Sequence, residues 1–186
     1  MYLREDYDGN VHPAEKSEEE LAKELQFEAT RSRGPGGQHR NRVATAIRVV
    51  HLPTGIQAMA TERRSQLENK VEALFRLRVK LALQWRSELQ DEDFIPPGAY
   101  KPSELWTSRL RGGKIRVNPT HKDFPAVLAE VLDRLHLEED DLGRTSTAFQ
   151  VSKSQLIKFL ATEPAALHAL NERRKVKGQK PLRTGR

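Results

Sequence analysis

Apolar and polar positions change period several times along the chain, and each change marks an element. Ser17-Glu18-Glu19-Glu20 has the form of a capping box, a hydroxyl N-cap with glutamate three residues on, and predicts a short helix through Leu21 and Leu25. Residues 26–32 read as extended. Alternation in Ala46-Ile47-Arg48-Val49-Val50-His51 predicts a strand, and Leu52-Pro53-Thr54-Gly55 turns the chain into Ile56-Gln57-Ala58-Met59-Ala60. The two runs together predict a β-hairpin. A second capping-box sequence, Ser65-Gln66-Leu67-Glu68, precedes Leu67, Val71, Leu74, Phe75, Leu81, Ala82, Trp85 and Leu89, whose spacing predicts a long amphipathic helix.

Asp91 to Gly98, with Pro96-Pro97, breaks that helix. Lys114-Ile115-Arg116-Val117 is a candidate strand. Phe124, Val127, Leu128, Val131, Leu132 and Leu135 predict a helix with Pro125 in its first turn. The acidic run Glu138-Glu139-Asp140-Asp141 is expected to open another, since negative charge suits a helix N-terminus. Ser152 is the expected N-cap of a helix over 153–160, and Pro164 marks the start of the last one. The fold class expected is α+β: an extension over 1–16, a small domain over 17–90, a linker over 91–102, a mainly helical domain over 103–172 and a basic tail over 173–186.

Between the extended segment and the hairpin stands Arg33-Gly34-Pro35-Gly36-Gly37-Gln38-His39. Three glycines and a proline side by side fit no regular element, so this is a loop. From Ala29 to Thr61 there is no acidic residue, while Arg31, Arg33, Arg40, Arg42 and Arg48 fall inside the interval. Glycines allow close backbone approach and arginines neutralise charge, which together suit a phosphate backbone. Neither a P-loop nor a dinucleotide fingerprint is present.

Composition agrees with a polyanionic partner without proving one. The 186 residues carry a net charge of +6, with 37% apolar and 31% charged residues, a pI near 9.7 and a mean hydropathy of -0.71. The absence of cysteine removes disulfides, thiolate metal sites and cysteine nucleophiles. The six histidines, at 12, 39, 51, 121, 136 and 168, show no metal-ligand spacing, so neither metal nor cofactor is expected. Met1-Tyr2-Leu3-Arg4-Glu5-Asp6 does not read as a signal peptide, and no apolar run approaches the roughly 20 residues of a membrane span. A cytoplasmic protein without membrane contact, acting as a monomer, is the expectation.

Arg31-Ser32-x-Gly34-x-Gly36-Gly37-Gln38-His39-x-Asn41, followed by Thr45-Ala46-Ile47, closely resembles the GGQ motif of class I peptide chain release factors. Pro53-Thr54-Gly55-Ile56 and Arg64-Ser65-Gln66 with Asn69 also resemble that family's catalytic domain, so the similarity runs over roughly 17–90. Arg40 departs from it, standing where the family usually has valine or isoleucine. The resemblance implies ribosome-dependent hydrolysis of the ester joining a nascent peptide to tRNA, with Gly36, Gly37 and Gln38 as the catalytic tip. It implies that the Gln38 backbone N–H stabilises the oxyanion while its side chain helps admit water. The amide is neutral and cannot serve as a base.

Partners implied are the ribosome's large-subunit RNA and peptidyl-tRNA. The residues expected to contact RNA are Arg31, Ser32, Arg33, His39, Arg40, Asn41, Arg42, Arg63 and Arg64. The tail adds Arg173, Arg174, Lys175, Lys177 and Lys180, which could enter the mRNA channel. Neither Pro-x-Thr nor Ser-Pro-Phe, the codon-reading motifs of full release factors, occurs in the 186 residues. The chain therefore looks closest to short, codon-independent ribosome-rescue factors. Thr147 to Ile157 has helix–turn–helix spacing, which plain helical packing also produces. The alternative is a non-catalytic ribosome- or nucleic-acid-binding protein that keeps the GGQ domain as a docking module.

Overall fold

The computed structural model describes residues 11–30, 45–87 and 95–184. The chain divides between Trp85 and Arg86 into two units.

In the first unit, Ser17 caps helix α1 (Glu18–Ala22). Its Oγ accepts from Glu20 N at 3.2 Å while the Glu20 carboxylate accepts from Ser17 N at 3.0 Å, so both halves of the box form. Strand β1 (Leu25–Thr30) pairs antiparallel with β2 (Ala46–His51), and β2 with β3 (Gln57–Ala60), in the sheet order β1-β2-β3. The predicted hairpin is β2–β3. Its turn places Gly55 at φ 71°, a backbone region that glycine enters without steric cost.

Period 2 decides which side of the sheet is covered. Ile47, Val49 and His51 of β2 and Ala58 and Ala60 of β3 are buried, while Arg48, Gln57 and Met59 are exposed. Helix α2 (Gln66–Gln84) packs on β2 and β3 and buries Asn69, Ala73, Leu77 and Leu81, a stripe of i, i+4 positions. The sequence pattern places Leu67 and Val71 on the apolar stripe, yet they are 71% and 65% exposed. The buried stripe is set instead by small Ala73, which lets the helix approach the sheet closely, and by the leucines one and two turns on.

At Ser65 only the N-cap half of the expected box forms, its Oγ accepting from Glu68 N at 3.4 Å. The helix ends at Gln84, short of the expected Leu89, because Trp85 turns extended. There the Trp85 ring meets the edge of His12 at 4.9 Å and its carbonyl accepts from His12 Nε2 at 3.3 Å. Arg78 donates to the carbonyls of Ala14 (2.7 Å) and Lys16 (3.1 Å), so residues 12–16 lie against α2.

The second unit contains α3 (Glu104–Arg109), the two-stranded ribbon β4 (Leu110–Arg111) and β5 (Lys114–Ile115), then α4 (Phe124–Leu137), α5 (Leu142–Ala148), α6 (Lys153–Leu160) and α7 (Pro164–Val176). Trp106 sits at its centre, 4.5 Å from Phe149 and 6.0 Å from Phe159 between ring centroids. Its indole N–H donates to Phe149 O at 3.2 Å, which satisfies the one polar atom of a fully buried ring. Residues 95–103, partly inside the expected linker, are held to α4: Arg134 donates to Ile95 O at 2.7 Å, and Tyr100 Oη to Glu130 at 3.1 Å.

The acidic run does not open a helix as a block. Glu138 closes α4 and is buried between Arg134 and Arg144; Glu139 and Asp140 adopt φ of 52° and 69°; only Asp141 caps α5, accepting from Gly143 N at 2.6 Å. Four neighbouring carboxylates thus divide into a core ion pair, a left-handed turn and a cap, since one helix N-terminus has donors for only one or two of them.

Candidate functional site

Ten of the residues expected in the site, Arg31, Ser32, Arg33, Gly36, Gly37, Gln38, His39, Arg40, Asn41 and Arg42, lie outside the described residues. The frame that carries them is described. Thr30, the last residue of β1, and Ala46, the first of β2, are cross-strand partners. The segment between them therefore begins and ends at one point on the sheet.

That point is fixed by Asn69. Its side chain is wholly buried in the first turns of α2, and its Nδ2 donates to Thr45 O at 2.6 Å and to Arg63 O at 2.9 Å. Its Oδ1 accepts from Arg63 N at 3.0 Å. A carboxamide offers two donors and a carbonyl acceptor, and here both donors and the oxygen are used. One side chain thereby joins the returning foot of the 31–44 segment, the turn before α2 and α2 itself. Sequence reading reached Asn69 only as part of a family pattern. The available signal was an asparagine in register with Ala73, Leu77 and Leu81, since a polar residue on an apolar stripe is retained there only if its hydrogen bonds are made.

Arg63 and Arg64 sit in the turn that Asn69 holds. Both are exposed, and among the described residues neither pairs with an acid. Two nearby arginines differ. Arg48 donates to Glu28 at 3.1 Å and Gln57 at 2.7 Å, and Arg76 to Glu62 at 2.9 Å and Glu72 at 3.0 Å. The Arg76 hydrogen bond holds the Glu62 carboxyl below its ordinary value. Arg48 and Arg76 are thus partly neutralised, while Arg63 and Arg64, among the described residues, are not.

A second polar group occupies the other end of β2. His51 is fully buried, its Nδ1 2.8 Å from Thr54 Oγ1 and its Nε2 3.0 Å from Glu24 Oε2, with Lys16 on the other Glu24 oxygen at 2.6 Å. Hydroxyl, imidazole and carboxylate in line resemble a nucleophile relay. However, Thr54 Oγ1 also accepts from Ile56 N at 3.3 Å, and the group lies five residues along β2 from Ala46, roughly 17 Å at strand rise. It locks the hairpin turn. Burial pushes the imidazole below its ordinary pKa, outweighing Glu24, which raises it.

The tail cations are placed in the second unit. Arg173 makes a forked pair with Asp140 (3.0 and 2.8 Å), and Lys177 reaches Glu139 O at 2.7 Å. Burial would raise the Asp140 carboxyl, but Arg173 and Lys177 hold it below its ordinary value. Arg174 donates to Lys180 O at 3.1 Å, and Asn171 grips Leu182 through both backbone groups (2.7 and 3.2 Å). The tail through Leu182 is folded along α7. Lys175 and Lys180 are exposed, and among the described residues neither has an acidic partner. The adjoining cleft of about 990 Å³ is lined by Glu139, Asp141, Arg144, Lys153 and Arg174, a mixture of signs that favours no single charge of ligand.

Among the described residues no group of three histidine, aspartate or glutamate side chains could hold a metal ion. Among them, too, no helix is long and apolar enough to cross a membrane.

Residues 15–96 match the family model described as the RF-1 domain. Peptide chain release factor RF2 of Thermus thermophilus is 41% identical over 88 residues, 47% of this chain and 23% of that protein. Peptide chain release factor 1 of Enterococcus faecalis is 42% identical over 80 residues, covering 42% and 22%. The chloroplastic peptide chain release factor PrfB1 of Arabidopsis thaliana reaches 52% over 58 residues, covering 31% and 13%. The matched stretch is thus less than a quarter of the length of each of these relatives.

Proposed function

Through residues 15–96 this chain belongs to the class I peptide chain release factor family, and from that premise we propose that it hydrolyses the peptidyl-tRNA ester on the ribosome. The match of its first unit to the RF-1 domain carries the reading, because the matched stretch contains Gly36-Gly37-Gln38. Gly36 and Gly37 let the backbone approach the terminal adenosine without a side-chain clash. The Gln38 N–H then faces the oxygen that becomes charged as water attacks the ester carbon. A donor so placed is worth about 2.7–4 kcal/mol in other enzymes. The Gln38 carboxamide orders the water, and the remaining catalytic groups belong to ribosomal RNA. The anchored foot at Thr45 supports this reading, since a tip of this kind needs a rigid base.

We further propose that hydrolysis by these 186 residues does not depend on a stop codon. Here the RF-1 domain is followed by a helical unit free of Pro-x-Thr and Ser-Pro-Phe sequences. The exposed tail cations Lys175 and Lys180 suit contact with RNA phosphate, in the mRNA channel or elsewhere on the ribosome. Peptide release is measured on ribosomes carrying truncated or stop-codon messages, comparing wild type with Gln38→Ala. The expected result is release on both by wild type and none by the variant. Full activity of Gln38→Ala would sink the mechanism, and release confined to stop codons would sink codon independence.

Arg40 favours a second reading, a docking module without catalysis, because it puts charge where the family usually has an apolar residue. Wild-type protein that binds ribosomes but releases no peptide would establish it.

A further inference from the structure

The β4–β5 ribbon carries charge of one sign only. From Leu105 to Lys122 there is no acidic residue, while Arg109, Arg111, Lys114, Arg116 and Lys122 fall inside the interval. Arg111 and Lys114 are direct cross-strand partners, and Arg116 N donates to Arg109 O at 2.8 Å, which continues the pairing by one more step. Pairing puts Arg111 and Lys114 on one face, and Arg116, two residues beyond Lys114, follows on the same side by strand period. Leu110 and Ile115, paired on the other face, are half-buried, and β5 lies against α6.

Outward charge on a surface ribbon is ordinary. Like charges directly opposite one another are not, because they destabilise the pair that holds them. Asp123 relieves Arg109. Arg111, Lys114 and Arg116 are exposed, and among the described residues no acidic side chain pairs with them. The repulsion is left standing in the free protein and would be relieved by a polyanion. The tip fits this use. Gly112 and Gly113 have φ of 55° and 67°, as a tight two-residue hairpin turn requires, and open space surrounds both. A rigid tip without side chains lets a nucleic-acid strand come close to the backbone.

We propose that this ribbon is a second RNA-contacting surface, with Arg111, Lys114 and Arg116 binding backbone phosphates of ribosomal RNA. The choice of ribosomal RNA rests on the reading of the first unit as a ribosome-acting hydrolase. The contact anchors the second unit on the ribosome through charge and shape, without reading sequence.

The test uses the full chain with Gln38→Ala throughout, so that binding is read without turnover. Affinity for purified ribosomes is measured at several salt concentrations for this parent, for Arg111→Gln/Lys114→Gln/Arg116→Gln, and for the control Lys23→Gln/Lys101→Gln/Lys158→Gln, which removes the same charge elsewhere. Each lost phosphate contact lowers the slope of log affinity against log salt by roughly 0.7–0.9, so the ribbon variant should lose about 2–3. The control should lose far less, and Lys114→Glu alone should weaken binding more than Lys114→Gln. An unchanged slope in the ribbon variant, or equal loss in the control, overturns the proposal. Ribbon-dependent binding by a wild-type protein that releases no peptide would remove the hydrolase reading and leave the ribbon in place. Peptide release with no dependence of binding on the ribbon would do the reverse.

Discussion

Asn69 is the residue on which the first unit's geometry turns. Replacing it with alanine leaves Thr45 O and both backbone groups of Arg63 without their partner. Unfolding in urea should show a loss of roughly 1–3 kcal/mol, the cost of buried polar groups left unmade. If Asn69 positions the 31–44 segment, folded Asn69→Ala protein should also release peptide more slowly at saturating ribosome, with binding unchanged. A variant that loses stability alone would reduce Asn69 to a structural clip. His51 gives a pH dependence with a definite sign. Its imidazole is held below the ordinary value in the folded state, so the unfolded chain takes up a proton first. Stability should be full above about pH 6.5 and fall as pH drops from there towards the folded value. His51→Gln should flatten the melting temperature over that window; an unchanged profile would show that another group titrates. Gln38 is a candidate through the family motif alone, and its neutral amide excludes base catalysis. The hydrogen bonds of Asn69 were not legible, because its partners are backbone atoms that no spacing rule connects.

At the scale of elements, capping residues, β-alternation and glycine turns were readable because each acts within a few residues. Ser17, Ser65, Ser152 and Pro164 all stand where the pattern puts them. Failures occurred where tertiary partners intervened. Leu67 and Val71 keep helical spacing but face away from the sheet, and α2 stops at Trp85 because His12 claims its ring and carbonyl. The tail is the same case. As a sequence, residues 173–186 are a run of cations, and nothing local says that Arg173 will meet Asp140 or Asn171 will clasp Leu182. Asn171→Ala should release the segment beyond Gly178, and trypsin should then cut after Arg183 severalfold faster while the melting temperature falls by only a few degrees. Equal cleavage rates would mean that the clasp does not hold the segment down.

Across the whole molecule, the sequence by itself determined the α+β class, the family likeness of the first unit and the sign of the net charge. These depend on local period, on an ordered motif and on a sum over residues, all of which exist before folding. Only the tertiary structure decided which cations remain available. Arg48, Arg76, Arg173 and Lys177 meet carboxylates or carbonyls distant in the chain, while Arg63, Arg64, Arg111, Lys114 and Arg116 do not among the described residues. It also decided that Thr45 is pinned by a side chain 24 positions on. The reason is physical: charge pairing and burial of polar groups act through space over a few ångströms, and the chain order does not record which residues will come that close.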